Sequence, residues 1–233
     1  MIPQWLHDLS LISLAVGAIA AVVLAIDVAR HPQKMWIMNL VWPVNALFSP
    51  LGVAWLYAKF GRNIPQGDHA KRSAPFAVQV AKAAGHCGSG CTLGDIIAES
   101  LAVTFPGIAV WFGLGALFAE PMFAIWILDF IFAFAIGIAF QYFTIQPMRH
   151  LAPLDGLKQA LKADVLSLSA WQIGMYGFMA IAQFALFRPL FGVSLKADMP
   201  EFWFMMQIAM NAGFATSYPV NWLLLKAGVK EAM

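Results

Sequence analysis

Charge is scarce in this sequence. Asp, Glu, Lys and Arg make up 11% of the 233 residues, against 61% for the hydrophobic types. Soluble domains carry roughly 25% charged residues, so a soluble globular protein is excluded. The formal net charge is only +2, and the basic residues are scattered between apolar stretches, which excludes a nucleic-acid-binding surface. Two cysteines are present, too few for a disulfide scaffold. No haem, flavin or dinucleotide fingerprint occurs, and "GSGCTLGD" lacks the lysine of a phosphate-binding loop. Repeats and low-complexity tracts are also missing.

Apolar length is what the sequence has. A spanning helix needs about 20 mostly apolar residues to cross a hydrocarbon core about 30 Å thick. Six stretches qualify, at 9–29, 35–57, 93–118, 122–145, 165–187 and 202–225. The expected fold is all-α, a polytopic membrane helical bundle of about six transmembrane helices plus short interfacial helices. It divides into a two-helix hairpin (1–62), a loop and interfacial helix with a His-Cys motif (63–91) and a four-helix core (92–233). The first stretch is too long for a removable signal peptide, and no small-residue cleavage site is evident, so it reads as an anchor.

Basic residues set orientation. With six spans, Lys59, Arg62, Lys71, Arg72, Lys82, Arg149, Lys158, Lys162, Lys226 and Lys230 fall on one side. Arg30, Lys34, Arg188 and Lys196 fall on the other. The excess predicts both termini in the cytoplasm. A second amphipathic element, "LDGLKQALKADV", places Lys158, Lys162 and Asp164 at the headgroups of that same side.

The chemistry concentrates in "GHCGSGCTLGDIIAES" at 85–100. Glycines 85, 88 and 90 suit a tight backbone before a helix start, and Thr92 and Asp95 have the spacing of a capping box. At such a helix start the positive end of the dipole favours thiolates at Cys87 and Cys91. Two thiolates with the imidazole of His86 suit a soft ion such as Cu(I), or Zn(II). Buried packing, a shuttling redox pair and a disulfide are the other readings of the cysteines. Glu99 lies deeper in the helix, where an ionisable group normally faces a bundle interior. Cys91, Asp95 and Glu99 follow at four-residue steps and so form one stripe.

The short connection "FAEP" suggests a hairpin folded near residue 120. That register sets Gln141 level with Glu99, Met148 level with Cys91, and Asp129 well to the outer side. A hairpin folded near residue 194 sets Gln172 level with Thr216. Polar residues of four helices, including Tyr142 and Tyr176, then gather in the inner third of the bundle. Met175, Met179, Met205, Met206 and Met210 read as packing filler or as stepping stones for a soft ion.

The motifs "HCGSGCTLGDIIAE", "IAFQYFTIQPMR", "KADVLSLSAWQIGMYG" and "FWFMMQIAMNAGFATSYPVNWLL" resemble, in order and spacing, a bacterial integral-membrane family known as domain of unknown function 4396. The resemblance covers about residues 80–233. It implies a compact helical membrane fold carrying His86, Cys87, Cys91, Asp95 and Glu99, in a bacterial inner membrane, and it imports no activity.

Two functions fit. In the first, His86, Cys87, Cys91, Asp95 and Met148 hold a metal ion, copper favoured with zinc or iron allowed, for transport or delivery. Asp129 and Gln141 then line a proton or ion path, and a metal chaperone or metalloenzyme is the exchange partner. In the second, a membrane-embedded, metal-dependent oxidoreductase or hydrolase acts on a lipophilic substrate, with Glu99 as general base and Tyr142 or Tyr176 as proton donor. Membrane lipids surround the chain in both. Nucleic acid is not a partner in either, and a homo-oligomer is left open.

Overall fold

A computed structural model describes residues 1–63 and 74–230. Lys71 and Arg72, counted above, lie outside them. The described chain is all-α. Its elements are α1 (Gln4–Arg30), α2 (Met38–Ala46), α3 (Pro50–Leu56, continued by the π-helical turn Tyr57–Gly61), α4 (Phe76–Thr104) and α5 (Ile108–Trp111). Then come α6 (Pro121–Arg149), α7 (Pro153–Ile181, continued by the π-helical stretch Ala182–Phe191) and α8 (Pro200–Lys226). Pro50, Pro121, Pro153 and Pro200 each open a helix, where the missing N–H costs nothing and the fixed φ is already helical.

Among the described residues three helices are long and apolar enough to cross a membrane: Gln4–Arg30, Pro121–Arg149 and Pro153–Phe191. On α1, Ile12, Ile19, Val22 and Val23 point outward, an apolar face that suits lipid. α4 and α8 have comparable lengths of 29 and 27 residues. Asp95, Glu99, Gln207, Asn211 and Asn221 make them too polar to join that set.

The expected second span is a re-entrant hairpin instead. Pro50 donates no hydrogen bond and its ring crowds the preceding turn, so the helix stops and α3 turns back alongside α2. Trp42 of α2 packs on Tyr57, with ring centroids 5.3 Å apart. Arg62 then pairs with Asp27 at 2.8 Å, in the last turn of α1. Backbone freed inside an apolar bundle must find partners. Here Gln207 Nε2 of α8 donates to Leu47 O at 2.6 Å, and Asn211 Nδ2 donates to Phe48 O at 3.0 Å.

The long helices α1, α4, α6, α7 and α8 run the length of the bundle, and the two chain ends therefore lie at opposite ends. The Met1 amino group donates to Phe191 O at 2.8 Å, and His7 meets Glu201 at 2.8 Å, beside the α7–α8 connection. Lys230 sits against Ala83 O and Asp164, near the starts of α4 and α7. The expectation of both termini on one side fails because the hairpin does not cross. Arg30 and Lys34 thereby join Lys59, Arg62, Lys82, Arg149, Lys158, Lys162, Lys226 and Lys230 at one end. Among the described residues only Arg188 and Lys196 are left at the other.

Two helix pairs are clasped by small residues. A Cβ on Gly90 would stand 2.6 Å from Gly137 Cα, and one on Gly94 would overlap the backbone of Ala133. α4 and α6 thus touch backbone to backbone at small residues spaced by four, a pattern that lets membrane helices approach closely. Gly174 of α7 lies under Thr216 and Ala212 of α8, and Asn221 donates to Ser167 Oγ at 2.7 Å. The hairpin expected near residue 194 is therefore present.

Gly94→Leu is expected to destabilise the protein by about 2 kcal/mol or more through overpacking. Gly177→Ala, where a Cβ meets nothing within 4 Å, should be neutral or better; thermal unfolding in detergent compares the two. Membrane-impermeant labels on the two chain ends should react from opposite sides of sealed vesicles.

Candidate functional site

The His-Cys segment lies inside α4, which begins at Phe76 and continues unbroken to Thr104. The expected break between an interfacial and a spanning helix is absent, and the 91/92 division falls mid-helix. Thr92 therefore caps nothing; its hydroxyl donates back to Gly88 O at 2.8 Å. Mid-helix thiols also feel no N-terminal dipole, so the expected helix-end activation loses its basis. The glycines serve close packing instead of a tight turn. Gly85 O accepts from Asn45 Nδ2 at 2.9 Å, and Gly88 leaves room for the ring of Trp171.

His86, Cys87, Cys91 and Asp95 are all 0% exposed and Glu99 is 6% exposed. The cluster is a buried file through the bundle interior rather than a mouth at its surface. From His86 to Glu99 it extends about 20 Å along the helix axis, two-thirds of a hydrocarbon core. His86 Nε2 meets Thr144 Oγ1 of α6 at 3.1 Å, and its ring lies edge-on to Phe140. The thiols of Cys87 and Cys91 are free of any disulfide and lie one helical turn apart on α4. They share one buried cluster with Met175, Met179, Met205, Met206 and Met210. Trp171 Nε1 donates to Met210 Sδ at 3.4 Å, which orients that thioether.

The α4–α6 clasp fixes which residues share a depth. Gly90 opposes Gly137 and Gly94 opposes Ala133, so one further step of four in each direction sets residue 98 level with Asp129 and His86 level with Gln141. Asp129 therefore joins Asp95 and Glu99, close enough for their charges to act on it. Gln141 sits at the histidine instead, 1% exposed. Both differ from the expected register because "FAEP" is not the whole turn. The connection runs from Phe105 to Glu120 and contains α5, with Gly113 and Gly115 at φ 97° and 82°, left-handed values that glycine takes without strain.

Met148 is 45% exposed near the end of α6 and takes no part in the thiol site. Tyr142 is also remote, about 20 Å along the bundle axis from the level of Glu99. Tyr176 does reach the acids. It lies within electrostatic range of Asp95, Glu99, Asp129 and Cys91, while its hydroxyl donates to Trp126 O at 2.9 Å. Among the described residues, no three His, Cys, Asp or Glu side chains converge as a ready-made metal site.

Glu99 lies in the wall of an open vestibule of about 540 Å³ at the end of the bundle that holds the N-terminus. Gln183, Arg188, Glu120, Lys196 and Asp198 also line it. Arg188 grips Glu120 with both guanidinium nitrogens, and those hydrogen bonds hold the Glu120 carboxyl below its ordinary range. At the opposite end, Lys230 pairs with Asp164 at 2.6 Å, both side chains 0% exposed. Asp164 was expected at the headgroups, yet α7 is continuous from Pro153 and turns it inward. The signal was present: Asp164 shares a helical face with Ala160, Leu168 and Trp171, all of them buried. No sequence signal singled out Lys230.

No curated protein and no solved structure matches the chain. One family model, Domain of unknown function (DUF4396), matches residues 78–230, the stretch that holds the whole buried file, and the chain belongs to that family.

Proposed function

We propose that the bundle moves a soft monovalent cation, copper(I) in the first place, between the vestibule and the basic end. One observation carries this reading: two thiols one helical turn apart, fully buried at mid-bundle, in one cluster with five buried methionines. Thiolates and thioethers select soft ions over the hard cations that carboxylates and carbonyls prefer. Capture by Cys87 and Cys91 releases their protons, since the thiolate is the ligand. A carried ion needs sites weak enough to leave, which two sulfurs serve better than a closed four-ligand cage.

Glu99 offers a buried negative charge at the inner wall of the vestibule, and His86 with Gln141 lies beyond the thiols. The concentration of Lys and Arg supports an inward-facing basic end, in a bacterial inner membrane with the N-terminus outside. A metal chaperone or metalloenzyme then exchanges the ion at the inner face. Anaerobically purified protein should bind about one copper(I) per chain through its thiol pair. Copper(I) uptake into proteoliposomes should fall at least about tenfold in Cys87→Ser plus Cys91→Ser, and Met148→Leu should leave it unchanged. A double-serine protein that transports normally would end this reading.

The vestibule supports a second reading, a membrane enzyme acting on a lipophilic substrate, because Glu99 stands in the wall of a substrate-sized space. Tyr176, unlike Tyr142, is near enough to the acids to serve as proton donor. Screening the protein against ester and quinone substrates separates the two. Turnover that disappears in Glu99→Gln but persists in the double-serine variant would favour the enzyme.

A further inference from the structure

We propose that the space behind the re-entrant hairpin binds one anionic phospholipid from the leaflet at the basic end, with an acyl chain in the pocket and the phosphate on Lys82, Lys59 and Trp42. α3 leans on α1 and α2, and between it and the walls of α4 and α8 lies a partly open pocket of about 290 Å³, close to the size of small-ligand sites. Val41, Phe48, Val53, Leu56 and Phe214 line it with apolar side chains. Leu51 and Trp55 of α3 are 82% and 59% exposed, so the hairpin itself meets lipid.

The polar groups of the pocket gather at one edge. Lys82 Nζ donates to Phe60 O at 2.8 Å. A Cβ on Gly61, the next residue, would stand 2.9 Å from Trp42 Cε2, the ring atom that carries Nε1. The ammonium and the indole N–H therefore meet the chain at the same place, Phe60 and Gly61. Lys59 Nζ lies 5.5 Å from the centroid of the Phe60 ring and 5.3 Å from that of Trp55, which also lines the pocket.

These donors are unanswered by protein. Trp42 is 3% exposed and its N–H has no partner, whereas a buried indole N–H usually finds one. An ammonium donates three hydrogen bonds, and Lys82 spends one on Phe60 O. Among the described residues neither Lys59 nor Lys82 pairs with a carboxylate, Asp27 being taken by Arg62, Asp155 by Lys158 and Asp164 by Lys230. Two cations and a neutral donor at the rim of an apolar pocket call for an anion with an apolar tail. A free phosphate would leave the apolar walls uncovered, and a neutral lipid would leave the charge unmet. Basic pockets between membrane helices recognise anionic headgroups in this way, with lysine stems laid along apolar surface and their ends at the headgroup.

The proposal goes beyond the sulfur path and stands whatever the cargo is. A lipid seated there props α3 against α4 and α8. Asn45 of the same pocket holds Gly85 O, beside His86, so the lipid site borders the buried file without sharing a ligand with it.

The test is native mass spectrometry of the metal-free protein, delipidated in detergent and titrated with phosphatidylglycerol or with phosphatidylcholine of the same acyl chains. The wild type should retain one phosphatidylglycerol, about tenfold or more in preference to phosphatidylcholine. Lys59→Gln, at an exposed position, should weaken that preference, Lys59→Gln plus Lys82→Gln should abolish it, and Lys82→Arg should keep it. Ala81→Phe, which fills the pocket, should lose the retained lipid while the lysines stay. Thermal unfolding without added lipid shows which variants are folded, and Lys59→Gln keeps the test open if the others are not. Equal retention of the two lipids, a preference unchanged in Lys59→Gln and in the double variant, or displacement of the lipid by glycerol 3-phosphate would each overturn the proposal. No copper enters the measurement, so its outcome is separate from that of the uptake assay.

Discussion

The arrangement depends on a contact without side chains. Where Gly90 and Gly94 of α4 meet Gly137 and Ala133 of α6, the backbones themselves are in van der Waals range. Lipid tails are as apolar as leucine, so nothing hydrophobic drives helices together in a bilayer, and close packing has to do it. The same contact is a ruler. It sets Asp129 beside Asp95 and Glu99 and brings Thr144 to His86, and a slip of one residue would turn each of them by about 100°.

The interior built on that contact is graded along the bundle. Carboxylates lie toward the vestibule, sulfur lies in the middle, and imidazole, amides and the Asp164–Lys230 pair lie toward the basic end. Oxygen and sulfur differ in softness, so the interior changes its chemical character from one end to the other. A buried pair such as Asp164–Lys230 adds little net stability, because desolvation cancels most of the attraction, but losing either partner strands a charge. Its worth is positional: it ties the segment after α8 to α4 and α7.

Membrane character, the all-α class and the stripe from Cys91 to Glu99 were legible because they rest on composition and on helical periodicity. The number of crossings was not. Residues 35–57 are apolar enough for a span, but Pro50 reverses the chain, and the amides of Gln207 and Asn211 that make the reversal tolerable lie about 160 residues away. Local grammar misled at Thr92 and Asp95, whose spacing imitates a helix start that tertiary packing overrides. The depth of Asp129 depended on a connector whose α5 turn is too short to show a period. Met148 has the chemistry of a ligand, yet its side chain faces outward.

The second clasp, Gly174 and Gly213 of α7 and α8, divides the bundle into two stiff halves, each a helix pair locked backbone to backbone. Between the halves the packing is made by side chains: the thiols and thioethers, and Trp171 lodged over Gly88. Thioethers rotate readily and are the most compliant groups in a core. The side chains best able to repack are those of the seam that holds the sulfur. Were the halves to part, they would part along that seam, with the indole acting as its bolt.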